Sequence, residues 1–442
     1  MSEELLNHSL EPATVTWNTG GNEVDLYTLT LCQLLNQKLR IPDYQRIYCW
    51  DEKTVRLLWE DIRGVETAKP YRLGTVILQR KDGGLDIIDG QQRLVTLALF
   101  LQALQIEGFS LLEQKYLSQS AMEYVGYNKY LIKGLLSKVP QKELNGLAHR
   151  LQKGIEFNVL VLNESSLDLA YTFFSNENSR GKELSDFDLL KAHHLRFMAD
   201  NEDQSMHIAK KWDQMILTGD READEGSADR SYVRSLAMYV FRLRKWIRMD
   251  QWEEGARYNV KNEYESGPMI AEIPPFGEKF DWNESIQGGS HFFAYTDSLL
   301  ARYRSFKGTE AFQAIHRLKS ETHWWYRDVI ESLLFGYFLK FGDQYLAEAL
   351  TLIAIRISQH RYENGRAHLG KLLAFAGDTR IIMMVDRATS PTFFLGELRK
   401  ELSEMTLVRP SKGIRERYAA LLADCLGSCK KDMLIDSIKN MI

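Results

Sequence analysis

The segment Leu85–Leu97, LDIIDGQQRLVTL, changes its hydrophobic period at Asp89-Gly90. Before the glycine it is a short apolar run of strand character. After it, from Gln91 to Gln105, the pattern is helical. A chain that turns from strand to helix over one glycine needs a sheet with a helix packed on it, so this region is neither all-helical nor all-β. A second apolar run, Leu73–Gln79, precedes it across Lys81-Asp82-Gly83-Gly84, which reads as a hairpin turn. The junction also carries chemistry. Gly90 allows backbone N–H groups to approach a ligand, and a helix start offers unpaired donors and a positive dipole end suited to phosphate. Arg93 adds a charged fork, and Asp89 is placed to hold a metal ion or a sugar hydroxyl. The bland alternative is a strand–turn–helix junction with a capping aspartate and surface polar residues.

Around this junction the first 200 residues alternate between the two periods. Leu26–Leu39 reads as a helix with a stripe of Leu29, Leu31, Leu34 and Leu35, ended by Pro42. Residues 51–65 read as a helix capped by Asp51, with Leu57, Leu58 and Ile62 on its apolar face. Residues 110–153 look like a helical, aromatic insertion, Phe157–Leu162 is a strand, and helices follow over 166–176 and 185–198. Beyond residue 200, strand signals nearly vanish. Helical periodicity marks 204–217, 230–249, 293–306, 309–320, 324–341, 343–360, 365–376, 392–405 and 413–440. The stretch 218–229 reads as a linker, and 250–290 is irregular. The expected fold class is therefore α+β: an α/β domain over 1–200, then a mainly α-helical domain over 201–442.

Composition narrows the function classes. Hydrophobic residues are 44% and charged residues 26%, as in an ordinary globular protein. The net charge of −4 excludes a uniformly basic nucleic-acid coat but leaves room for a local basic face. Four widely placed cysteines do not make a disulfide framework, which points to a reducing compartment. The first residues lack the apolar core of a signal peptide, and the longest apolar stretch, about Leu94–Leu104, is too short to span a bilayer. A cytoplasmic protein without membrane contact is expected.

Two further segments are dense in functional residue types. Ile41–Trp50, IPDYQRIYCW, sets Tyr44, Gln45 and Arg46 among aromatics that either stack a base and grip a phosphate or simply pin a loop to the core. Tyr171–His194 puts Asn178, Arg180 and Gly181 in a polar turn before a helix capped by Ser185 or Asp186, with Asp188 and Lys191 spaced to pair.

Taken in order, these segments resemble the N-terminal domain of the GmrSD restriction family, which is related to the ParB/sulfiredoxin fold. The family pattern I-P-x-Y-Q-R-x-Y-x-W is matched by Ile41, Pro42, Tyr44, Gln45, Arg46, Tyr48 and Trp50. D-G-Q-Q-R-L is matched by Asp89 through Leu94. The later F-x-x-x-N-x-x-G-x-x-L-x-x-x-D-L-L-K is matched by Phe174, Asn178, Gly181, Leu184, Asp188, Leu189, Leu190 and Lys191. The resemblance covers residues 25–200. It implies a nucleoside triphosphate and Mg²⁺ at the Asp89–Arg93 turn, with Asp89, Gln91, Gln92 and Arg93 catalytic and Asp89 the metal ligand. Tyr44, Gln45, Arg46, Gly90, Thr96, Asn178, Arg180, Gly181, Asp188 and Lys191 would complete the nucleotide site. It further implies antiviral restriction of modified phage DNA.

The sequence departs from the family in its second half, where the usual His-containing nuclease pattern is missing. His316 and His323, and His360 and His368, have helical spacing but no evident acidic companions. The cutting function is therefore expected in a separate nuclease subunit or in a centre the sequence hides, with a homo-oligomer also possible. The positive feature here is residues 230–249, with Arg230, Arg234, Arg242, Arg244, Lys245 and Arg248, four aromatics and no acid. Arg234, Arg242, Arg244, Lys245 and Arg248 are the candidate DNA contacts; pairing with nearby acids is the alternative. The function expected is an NTP-hydrolysing component of a DNA restriction system. The rival is a nucleotide-gated DNA-binding module without turnover.

Overall fold

The computed structural model describes residues 15, 24–64, 70–113, 119–163, 185–198, 202–221, 233–252, 260–265, 286, 288–318, 324–366, 368–408, 410 and 413–427. The chain divides into two compact units, Met1–Leu217 and Thr218–Ile442.

The first unit is built on five strands: Val24–Thr30 (β1), Leu39–Arg40 (β2), Tyr71–Lys81 (β3), Gly84–Asp89 (β4) and Ile155–Leu162 (β5). Their order is β1-β5-β3-β4-β2. The pairs β1–β5 and β3–β4 are antiparallel, whereas β5–β3 and β4–β2 are parallel. The β3–β4 hairpin and β5 lie where their patterns place them. The helix expected over Leu26–Leu39 does not form. Val24–Thr30 instead lies along β5 as an edge strand, and only Leu31–Leu35 (α1) is helical. The leucine stripe misled because both elements feed one core: Leu29 belongs to the strand, while Leu31, Leu34 and Leu35 line the helix. Thr30 makes the break, accepting from the Gln33 N–H while the Gln33 side chain accepts from the Thr30 N–H, a capping box.

One sheet face carries Val76, Leu78, Ile87, Phe157 and Val159 into a large core. Glu52–Gly64 (α2) brings Val55, Leu58, Trp59 and Ile62 to it, while Leu57, expected on the apolar face, is 54% exposed. Asp51 does cap this helix, accepting from the Thr54 N–H at 2.9 Å. Gln91–Ala103 (α3) is buried almost all round, and its Phe100 stacks on Trp59 at 5.5 Å. The insertion between β4 and β5 contains Ser110–Glu113 (α4), Gln119–Leu136 (α5) and Gln141–His149 (α6). The opposite sheet face is smaller. Ile77, Ile88 and Leu162 meet Ala192 and Leu189 of Asp186–Leu195 (α7), with Tyr44 beside them. Glu202–Arg221 (α8) follows, and it is helical through residues 218–221, where a linker was expected.

The described residues of the second unit form helices and the turns between them, with no strand among them. A π-helical segment, Val233–Val240, runs into Phe241–Ile247 (α9). Then come Val260–Tyr264 (α10), Ser290–Lys307 (α11), Glu310–His316 (α12), Trp324–Phe341 (α13), Leu346–Glu363 (α14), Leu369–Asp378 (α15), Ile381–Arg387 (α16), Pro391–Glu404 (α17) and Ile414–Gly427 (α18). The pattern missed α10 and α16, which are too short to show a period. No described helix is long and apolar enough to cross a membrane.

Burial holds the His360 imidazole below its ordinary range, with Arg361 and Lys371 adding repulsion; burial alone does the same for His291. A depressed histidine contributes stability above its unfolded value of 6.5, and that contribution is lost as pH falls toward the folded value. The second unit is therefore expected to melt at progressively lower temperature below pH 6.5. His360→Gln is expected to flatten the trend; a melting temperature insensitive to acid in the wild type would count against it.

Candidate functional site

The site assembles around the end of β4. β2 pairs with β4 only at Leu39–Leu85 and Arg40–Asp86, and then the chain turns away at Pro42. The Gln45 side chain takes over the edge that β2 leaves, its Nε2 donating to the carbonyls of Ile87 (2.9 Å) and Ile88. Gln92, on the first turn of α3, holds the same loop from the other side. Its Oε1 accepts from the Cys49 N–H and its Nε2 donates to the Ile47 carbonyl, both at 3.0 Å. Thr96 bonds the Tyr48 phenol at 2.8 Å, and Asn128 of α5 donates to that phenol at 3.0 Å and to the Trp50 carbonyl at 2.8 Å. The Ile41–Trp50 and Asp89–Leu94 motifs are thus one structure. The price is that the carboxamides of Gln45 and Gln92 and the hydroxyl of Thr96 are engaged by the protein. Their expected ligand-facing roles give way to positioning, because a buried amide that left its backbone partners would strand them.

Gly90 makes the turn itself, at φ +98°, and a side chain there would meet Val76 Cγ2 at 2.9 Å. No side chain caps α3, so its first N–H groups point out of the turn. Gln91 is buried, and its Oε1 has no partner among the described residues. Arg93 reaches back along β3: Nη1 donates to the Leu73 carbonyl (3.0 Å), and Nη2 to the Thr75 carbonyl (2.7 Å) and Asp89 Oδ2 (3.2 Å). This happens where the β3–β5 register shifts, between Arg72 and Thr75. Three of the five guanidinium donors are so used, and Arg93 is first of all the clamp that orients Asp89.

On the opposite face, a cleft of about 190 Å³ is lined by Arg40, Asp43, Tyr44, Gln79, Lys81, Asp86 and Arg196, among others. Arg40 Nε meets Asp86 Oδ1 at 2.8 Å. Burial pushes the Asp86 carboxyl up, against the pull of Arg40, and burial also raises the Tyr44 phenol. The sequence reading missed Arg40, Gln79 and Asp86. A carboxylate set inside the apolar run Leu85–Ile88 was the available signal. Arg46 is half-buried.

Asp188 and Lys191 do not pair. Asp188 completes a capping box with Ser185, while the buried Lys191 donates to Asp213 (2.9 Å) on α8 and to the Gln45 carbonyl (3.1 Å). Lys191 therefore joins α7, α8 and the Ile41–Trp50 loop. Asn178, Arg180 and Gly181 lie outside the described residues, as do residues 222–229 of the linker expected over 218–229 and the helix expected over 166–176. Among the described residues no group of three acidic, histidine or cysteine side chains could hold a metal ion.

In the basic segment of the second unit, Arg242 and Arg244 are buried and Arg248 is exposed. Arg242 is 1% exposed and donates to the Asp328 carbonyl (3.0 Å) and Ser332 Oγ (3.1 Å). Arg244, also buried, binds Glu263. Arg248 bonds Glu263 at 2.7 Å and Asp250 at 3.1 Å. Lys245 Nζ lies 5.1 Å from the centre of the Trp252 ring. Burial raises Glu263, but hydrogen bonds from Arg248 and Arg244 outweigh it and hold the carboxyl below its usual range. Arg242 and Arg244 are thus buried partners of a carbonyl, a hydroxyl and a carboxylate, which corrects the expectation of a basic face for these two, while Arg248 is exposed and shares Glu263 with Arg244. The side chain of Arg234 and all of Arg230 lie outside the described residues. His316, expected to lack an acidic companion, has one: its Nδ1 lies 3.0 Å from Glu331 Oε1. His360 bonds the Tyr326 phenol at 2.7 Å, and His323 is not described.

Residues 30–195 match the family model for the GmrSD restriction endonuclease, N-terminal domain. Residues 256–412 match the model of a family of unknown function (DUF7834). Comparison with curated proteins and with solved structures found no match. The first unit is therefore similar to a GmrSD-type N-terminal domain over residues 30–195, and the β4–α3 turn lies inside the matched segment.

Two measurements separate positioning from surface contact. Gly74 sits at φ +115°, and a side chain there would stand 2.5 Å from Arg93 Nη1. Gly74→Ala is expected to dislodge Arg93 and cost about 1–3 kcal/mol in thermal or urea unfolding; an unchanged midpoint would refute the clamp. Arg242→Ala is expected to cost about 3 kcal/mol and to leave the salt dependence of DNA affinity where it was. A flatter salt slope at full stability would restore the DNA-contact reading.

Proposed function

We propose that this chain is the nucleotide-hydrolysing component of a DNA restriction system, with a nucleoside triphosphate seated at the β4–α3 turn. The observation that carries the reading is the uncapped start of α3 at left-handed Gly90, beside the Asp89–Arg93 pair, inside a GmrSD-type domain. The N–H groups of the first turn would hold phosphate oxygens with the favourable end of the helix dipole. Arg93 would add its two remaining donors.

Mg²⁺ usually binds through one or two carboxylates plus substrate phosphates. A single carboxylate, Asp89, fits that mode and does not fit an all-protein cage. When bound, the metal would neutralise charge developing on the phosphates. The rest falls to the chain. Gln91 would orient the attacking water through its Oε1. The water oxygen bonds to the terminal phosphorus as the bond to the bridging oxygen breaks. Nucleoside diphosphate and inorganic phosphate leave, and a proton passes to solvent. Positioning and charge stabilisation supply most of the rate in such transfers. Gln45, Gln92 and Lys191 would act indirectly, by holding the Ile41–Trp50 loop against the turn. Modified phage DNA as substrate, cutting by a separate nuclease subunit and self-association are further parts of the proposal.

The test is phosphate release from each triphosphate with Mg²⁺, with and without DNA. Asp89→Asn and Arg93→Ala are each expected to lose about 10²-fold or more. Wild type and Arg93→Ala releasing phosphate equally slowly would sink the hydrolase. Nucleotide binding that changed DNA affinity without turnover would then favour a gated binding module.

A further inference from the structure

The outer face of α5 is not explained by the nucleotide site. Its inward residues, Val125, Asn128, Leu131, Ile132, Leu135 and Leu136, are buried. The outward face carries Tyr127 (50% exposed) and Tyr130 (79% exposed), Lys133, and two glycines. The glycines stand at i−4 and i+4 from Tyr130, as Gly126 and Gly134, and a side chain at either would touch nothing within 4 Å. Positions i±4 are where helical neighbours pack against a side chain. The Tyr130 ring is therefore open on both sides along the helix. Glycine inside a helix costs about 1 kcal/mol relative to alanine, and here the fold gains no close packing in return. A flat ligand lying against the ring, close to the helix backbone, accounts for ring and gaps together.

The charges agree. Lys129 and Lys133 are exposed and make no ion pair among the described residues. Glu52, the acid nearest Tyr127, is already bound by Arg56 and by the Tyr127 phenol. Glu123, one helical turn before Tyr127, is the acid on this face of α5.

We infer that the outer face of α5 is a stacking platform for unpaired DNA bases, with Tyr130 as the principal ring and Lys129 and Lys133 meeting the flanking phosphates. Base stacking needs an exposed π-face, which single strands present and paired duplex hides. The inference deepens the restriction reading, on which it rests for DNA as the partner, and places a DNA contact apart from the buried Arg242 and Arg244 of the second unit.

The test uses the full chain and a fluorescent single strand of about 16 nucleotides, with its blunt duplex as the second probe, read by anisotropy over a salt series. Wild type is expected to prefer the single strand. Tyr130→Ala is expected to weaken that binding about tenfold, and Lys133→Gln to reduce the salt slope. Gly126→Gln separates binding from folding: it is expected to raise the melting temperature by a few degrees while weakening the single strand at least about fivefold by filling the gap. All three variants are expected to keep wild-type phosphate release. Unchanged single-strand affinity in Tyr130→Ala and Gly126→Gln overturns the platform, as does a wild type that binds neither probe. Phosphate release in the same preparation then decides the nucleotide reading separately. Loss of a protein complex with DNA affinity intact would assign the face to a protein partner and overturn the inference too.

Discussion

The first unit depends on how the backbone is satisfied where β4 ends and α3 begins. A strand edge abandoned by its neighbour and a loop with no ladder of its own both need hydrogen-bond partners once buried. Two glutamine side chains meet that need: Gln45 binds the carbonyls of Ile87 and Ile88, and Gln92 binds Ile47 and Cys49. Arg93 performs the same service for the bulged stretch of β3. These bonds hold the Gly90 turn between two motifs that are 40 residues apart in sequence. The recognisable residues are thus mostly scaffold. What these bonds leave uncommitted is the start of α3, the Gln91 carboxamide oxygen and two of the Arg93 donors.

The second unit meets a related constraint with charge. Arg242 and Arg244 are buried, and a buried guanidinium must be paired or fully hydrogen-bonded. The Asp328 carbonyl, Ser332 and Glu263 provide that, and Tyr239 and His316 converge on the buried Glu331. A run of cations without a local acid reads as a solvated basic face. Here the hydrogen-bond partners arrive from helices 15 to 90 residues further along the chain, Glu263 at the near end and Ser332 at the far end.

Legibility followed the range of the interactions. The hairpin, β5, the capped start of α2 and most helices of the second unit rest on local period and capping, and they stand where the sequence places them. Leu29–Leu35 failed because strand end and helix deliver leucines to the same core, which imitates one helical stripe. The Asp188–Lys191 pair failed because a cap within one turn of Asp188, and Asp213 on another helix, outcompeted it. Arg40, Gln79 and Asp86 were invisible as a cleft because β2 and β4 meet only through the sheet.

By itself the sequence determined the α+β division, the strand–glycine–helix turn and the family to which the first unit's domain is similar. Each is written in local period, or in an ordered set of residue types. Only the tertiary structure decided which of those residues are free to act. It committed Gln45, Gln92, Thr96 and Lys191 to the scaffold, buried the arginines of α9, and left Tyr130 standing between two gaps. Burial and hydrogen-bond competition are set by neighbours distant in the chain, and no local pattern encodes them.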